Sequence, residues 1–210
     1  MDKQLNVPHL PYPAHADFNS LSAVFDTLPV YTINNESWPE FKTRCSTEFS
    51  IFHTNDTVMV KFYVANDYFK SSRRPVNGPV NKDNCVEFFI SFSEDAYYNI
   101  EFNCLGNGKI AYGAKRTRRT FLPEATIEKI QIFTCTAPRG SDFNWEMILI
   151  IPLTVFEFDT FNSLSGLRSR GNFYKCGDDL PQPHFLSWKR IENVVPNFHL
   201  PEFFGDIIFA

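Results

Sequence analysis

Two carboxylates and an amide are the residues of this chain best placed to do chemistry. In CVEFFISFS, Val86, Phe88, Ile90 and Phe92 share one face of an extended chain and leave Glu87 on the other with Phe89, Ser91 and Ser93. In YYNIEFNCL, Tyr98, Ile100 and Phe102 alternate in the same way with Asn99, Glu101 and Asn103. If the two runs pair through the intervening SEDA turn, both apolar sets must face the core, and Glu87 lies on the sheet face that carries Glu101 and Asn103. A polar patch of this kind suits three roles. It can be solvated surface, the common fate of strand carboxylates. It can be the floor of a site for a hydroxyl-rich ligand, or the acid and base of a glycosidase, whose two carboxyl groups stand ~5 to 9.5 Å apart. Sequence spacing does not choose among them.

Other reactive groups carry less. Cys176 and His184 could form a nucleophile and base, but nothing nearby in sequence activates Cys176. GxSxG, P-loop and HExxH patterns are absent. The KRTRR segment, Lys115 to Arg119, could clamp an anion, although such runs are more often solvated turns. The five cysteines form no CxxC and the five histidines no short ligand pair, so zinc spacing is missing. Cys85, Cys104 and Cys135 each fall within a strand-like run and read as small core residues.

The elements that must position these groups are strands. About ten short runs of β character follow one another, separated by clusters of Gly, Pro, Asn and Asp. TEFSIFHTNDTVMVKFYVAND reads as a hairpin turned at HTND, with Val58, Val60, Phe62 and Val64 on one face. Helical periodicity is confined to Asp17 through about Asp26, where Asp17 suits an N-cap. This pattern predicts an all-β antiparallel sandwich with one short N-terminal helix and no parallel sheet. The longest expected loops are Lys70 to Asn84, Thr117 to Thr126 and Phe158 to Arg170.

Composition agrees with one core. The chain has 210 residues, 43% of them hydrophobic and 16% aromatic, with 23 Phe, which is ample material to bury. A single domain over residues 1–210 is expected, with a Pro-rich lead-in over 1–29 packed on it. A net charge of -4 offers no broad attraction for nucleic acid or anionic lipid, and no apolar run approaches a membrane span. MDKQLNVPHLPYPAH lacks the apolar core of a signal peptide, so the chain as it stands reads as soluble and cytoplasmic, or secreted or periplasmic if a leader has been removed.

NKDNCVEFFI, YYNIEFNCLG and the closing FLSWKRIENVVPNFHLPEFFGDIIF resemble the family 9 carbohydrate-binding modules, in particular a stand-alone bacterial branch, from roughly Val30 to the C-terminus. The resemblance implies a jelly-roll-like β-sandwich that binds sugar without catalysis, often as an accessory to glycoside hydrolases in carbohydrate catabolism. In the family two tryptophans sandwich a terminal sugar, and amide, carboxylate and basic side chains meet its hydroxyls. Here Asn81 stands in the place of one tryptophan and Phe198 in the place of the other, with Trp188 as a further aromatic. Glu87 matches the motif carboxylate and Asn103 a polar strand residue; Lys175 replaces an amide, and Glu101 falls where a sugar-binding module can carry Arg. Calcium is known in the family, and Asp67 in VANDYF is its single candidate ligand here.

The expected function is therefore non-catalytic binding of a mono- or oligosaccharide through Asn81, Glu87, Glu101, Asn103, Lys175, Trp188 and Phe198, in the service of polysaccharide breakdown. Two alternatives differ in kind: a glycoside hydrolase acting through Glu87 and Glu101, and an interaction scaffold that has lost sugar binding.

Overall fold

A computed structural model describes residues 4–12, 17–139 and 142–210. Among the described residues, fourteen strands make two sheets. They are β1 (Leu5–Val7), β2 (Tyr31–Thr32), β3 (Asn35–Glu36), β4 (Ser46–His53), β5 (Thr57–Asp67), β6 (Cys85–Ser91), β7 (Tyr97–Asn103), β8 (Gly108–Gly113), β9 (Thr120–Phe121), β10 (Gln131–Arg139), β11 (Asp142–Pro152), β12 (Arg168–Gly177), β13 (His184–Ser187) and β14 (Gly205–Phe209). Helix α1 spans Phe18–Phe25 and helix α2 spans Glu124–Ile127. The larger sheet runs β1-β14-β12-β6-β7-β8-β9, with β13 and β3 joined beside β12, and the smaller runs β10-β11-β5-β4-β2.

The alternation in sequence sets which faces meet. Val58, Val60, Phe62 and Val64 of β5 and Val86, Phe88 and Ile90 of β6 are buried between the sheets with Phe102, Phe173 and Trp145. Phe88, Phe173 and Phe49 form a stack across this core, with ring centroids 4.5 and 3.7 Å apart. The outer face of the smaller sheet is covered by α1, where Leu21 and Phe25 pack on Phe52, Met59 and Ile148. Asp17 caps α1 by accepting a bond from the Ser20 N–H at 2.8 Å, as its residue type predicts.

Three features depart from the expectations. β1 pairs in parallel with β14, placing Leu5 and Val7 in the core; three residues in a Pro-rich lead-in are too few to show a period. The segment expected to be a loop from Thr117 to Thr126 contains β9 and enters α2. Cys135 is exposed on β10, which has a neighbour on one side only, so it is not core filling.

The outer face of the larger sheet is not wet. A segment after β13 crosses it, and Ile191, Phe198 and Phe204 pack with Trp38, Phe89, Tyr97, Tyr174 and Cys176 into a second apolar layer. Glu87 and Glu101 lie beneath that layer, 4% and 2% exposed.

Candidate functional site

β6 and β7 pair so that Glu87 stands directly opposite Glu101, and β8 brings Lys109 opposite Glu101. Lys109 Nζ reaches both Glu101 oxygens, at 3.1 and 3.0 Å, and Asn99 Nδ2 donates to the first at 2.7 Å. Burial opposes the Lys109 charge, but the field and hydrogen bonds of Glu101 outweigh it and hold the ammonium above its ordinary pKa. Glu87 is placed differently: its Oε1 accepts from the Cys176 thiol at 3.1 Å. Burial, and then the charge of Glu101, push its carboxyl well above the usual range.

A pocket of about 270 Å³ opens over these groups, between the sheet and the covering segment. Asn81, Glu87, Glu101, Lys109, Arg116 and Asp178 supply polar walls, and Phe185, Pro196 and Phe198 apolar ones. Asn81 Nδ2 donates to Asp178 Oδ2 at 2.8 Å. Phe198 lies stacked on Tyr174, 4.1 Å between centroids and 8% exposed, so it offers the pocket a limited apolar surface. His199 closes one side with Nδ1 2.9 Å from the Tyr97 hydroxyl, and burial pushes its pKa down to about 3.

Of the residues singled out in the sequence, the structure gathers Asn81, Glu87, Glu101 and Phe198 at one pocket. Asn103 shares their sheet face but is spent at its end, donating to Asp83 Oδ2 at 2.9 Å, where Arg74 also binds Asp83 through two nitrogens. That cluster fixes the long loop from Lys70 to Asn84. Trp188 packs edge-on against Phe49 and Phe173 in the inter-sheet core. Lys175 alternates with Tyr174 and Cys176 and points inward, fully buried, with Nζ 2.9 Å from Asp67 Oδ2.

The pocket also holds residues that sequence reasoning did not select. Lys109 was findable: counting back through the LGNG turn from Glu101 puts it directly across the hairpin. Arg116 belongs to KRTRR, in which Arg119 instead turns inward to bind the Asn99 side chain and the carbonyls of Tyr97 and Gly113. Asp178, Phe185 and His199 carry no local signal, because they come from a strand end, a four-residue strand and the covering segment.

The donor set at Asp67 does not fit calcium. Its oxygens are engaged by the Lys175 ammonium, by Asn84 Nδ2 at 2.6 Å and by the Tyr68 N–H at 2.7 Å, all donors where calcium requires further oxygens. Nor do Glu87 and Glu101 form a glycosidase pair. They rise side by side from neighbouring strands rather than flanking a bond, and Glu101 is neutralised by Lys109.

The family profile described as carbohydrate-binding family 9 matches residues 19–209. A solved protein from Bacteroides uniformis, a proposed carbohydrate-binding protein, is 31% identical, with a TM-score of 0.93 over 99% of each chain. A family 9 module from Caldicellulosiruptor kristjanssonii, solved in complex with glucose and with cellotriose, superposes with TM-scores of 0.64 and 0.62 over 99% of this chain and 96% and 93% of its own. At 12% identity that likeness is one of fold. No curated protein matches the chain. The profile match and the 31% identical solved structure agree: the chain belongs to carbohydrate-binding family 9, whose modules bind sugars without catalysis.

Proposed function

We propose that the pocket over Glu87 and Glu101 takes one end of a short saccharide, and that the chain serves a glycoside hydrolase by holding such ends near it. One observation carries this reading: the pocket sits on the polar register of β6 and β7 and gathers acceptors, donors and two Phe side chains within about 270 Å³, close to the lower size of small-ligand sites. Glu87, the Glu101 and Lys109 pair, Asn81 and Arg116 offer both donors and acceptors to ring hydroxyls. Phe185 and Phe198 give one apolar wall, with no second aromatic plane at Asn81, so binding rests on hydrogen bonds more than on stacking. Glucose and cellotriose, the ligands of the Caldicellulosiruptor module, are the first sugars to test.

Calorimetric or NMR titration with glucose, cellotriose and xylo-oligosaccharides tests the reading. Binding in the millimolar range or tighter, weakened severalfold by Phe198→Ala in a folded variant, supports it; no binding at tens of millimolar sinks it. A second reading, a protein-contact surface, rests on Val194 and Val195, 90% and 60% exposed beside the pocket residue Pro196. It gains if the sugars fail while Val194→Ser removes binding to a co-purifying partner.

A further inference from the structure

The floor of the pocket contains a second arrangement, which shares Glu87 with the proposed sugar contacts. Cys85 and Glu87 lie two residues apart on β6 and so share a face, and Cys176 of β12 stands directly opposite Cys85. Their Sγ and carboxylate atoms all lie within 4.8 Å of one another, and all three residues are buried. We propose that Cys85, Glu87 and Cys176 hold a thiophilic divalent cation, zinc above all, with its fourth position facing the pocket.

The chemistry of the donor set selects the metal. Two thiolates and one carboxylate suit tetrahedral zinc, whereas calcium and magnesium want oxygens alone. Bonds of ~2.3 Å to sulfur and ~2.0 Å to oxygen place tetrahedral donors ~3.3–3.8 Å apart, so closure from within 4.8 Å needs only small side-chain adjustments. Sulfur and carboxylate already meet at 3.1 Å between Cys176 and Glu87. The other thiol contacts are long, from Cys85 Sγ to the Val86 carbonyl at 3.7 Å and from Cys176 Sγ to the Asn81 carbonyl at 3.8 Å, which a metal bond would readily replace. Glu87 and Cys176 line the pocket, which provides the entry path. Binding releases the two thiol protons, together with the Glu87 carboxyl proton where that group is protonated, to solvent, and the dication offsets two of the three ligand charges.

A neighbouring cluster shows what an occupied site looks like. Cys45, Asp67 and His184 also converge, but Lys175 Nζ sits 2.9 Å from both Asp67 Oδ2 and His184 Nε2, so the cation there is an ammonium. Among the described residues, no ammonium reaches the Cys85, Glu87 and Cys176 atoms in this way. Zinc spacing is invisible in the sequence because the ligands meet across strands rather than along one.

The test is cobalt(II) titration of the reduced full-length chain after chelator treatment, followed by zinc displacement. One cobalt per chain with thiolate charge-transfer absorption and a tetrahedral visible band is expected. Cys176→Ser should abolish that absorption and lower zinc affinity by more than ~100-fold, beyond the loss seen for outer-shell partners, while Cys135→Ser leaves both unchanged. Should Cys85→Ser or Cys176→Ser fail to fold, zinc-edge X-ray absorption on the unaltered chain decides, with two sulfurs at ~2.3 Å expected. No thiolate band at tenfold cobalt excess, a band lost in Cys135→Ser, or a shell of oxygen and nitrogen alone overturns the proposal. Saccharide titration in the presence of chelator keeps this outcome separate from that of sugar binding.

Discussion

Replacing Lys175 with Met distinguishes a structural role from a sugar-binding one. The ammonium is fully buried and makes three contacts at 2.9 Å, to Asp67 Oδ2, the Cys176 carbonyl and His184 Nε2. At that separation and an effective dielectric near 20, the attraction to Asp67 is ~6 kcal/mol before the cost of stripping water from both ions is set against it. Removing the cation leaves Asp67 buried, with Asn84 Nδ2 and the Tyr68 N–H as remaining donors. They soften the loss without balancing the charge. Lys175→Met should therefore destabilise the fold by about 3–5 kcal/mol, the usual cost of orphaning one partner of a buried pair.

Urea unfolding followed by tryptophan fluorescence measures the loss as a lowered midpoint at constant slope. Pairing the change with Asp67→Asn should recover much of the stability, because the double variant buries no unpaired charge. Saccharide affinity of the folded Lys175→Met protein should stay within twofold of the parent, since the side chain points between the sheets and away from the pocket. A stability loss below ~1 kcal/mol, or a tenfold loss of sugar affinity in a folded variant, would refute the reasoning and return Lys175 to the ligand.

The opposite behaviour is expected of Glu101→Gln: sugar affinity falls about 5- to 30-fold, equivalent to ~1–2 kcal/mol for a charged hydrogen bond, and calorimetry showing unchanged affinity would place the sugar elsewhere. Stability should decline below pH ~6.5, the unperturbed histidine value. Burial, aided by facing cations, lowers His184 to about 4 and His199 to about 3 in the fold. The unfolded chain therefore takes up protons first as pH falls, so stability is held above ~6.5 and lost progressively down to the folded values. Thermal melts from pH 8 to 4 check this, and a flat profile counts against it. Gly171→Ala should cost about 1–3 kcal/mol, because its Cβ would lie 2.4 Å from the Phe89 carbonyl oxygen on the adjacent strand, and chemical denaturation reads the effect.

What the sequence revealed depended on whether one face of an element was distinguishable from the other. Strand β5 could be read because its inner Val58, Val60, Phe62 and Val64 differ in kind from Lys61 and Tyr63 outside. The registers of Glu87 and Glu101 could be read for the same reason, and the hairpin placed them opposite each other. Strand β12 resisted, since every residue from Gly171 to Gly177 is buried and both its faces are covered, which removes the contrast that would have shown Lys175 turning inward. Proximity to the family's amide position then pointed to the wrong side of the sheet for a pocket that Cys176, one residue on, does line.

The covering segment was beyond reach for a different reason. Residues Ile191 to Phe204 contain only a short 3-10 turn and no strand, so no period marks which side chains turn down. Yet this segment converts a polar strand face from wet surface into a buried floor: Phe198 and Phe204 shut out water, and the gap left beside Phe198 is the pocket. Burial, to which that layer contributes, is the largest cause of the raised Glu87 pKa, so the environment of Glu87 is set in part by residues more than a hundred positions away. A change that loosens the segment, such as removal of the Trp38 indole bond to the Asn193 carbonyl at 2.9 Å, should therefore weaken sugar binding through Glu87 without touching the pocket wall.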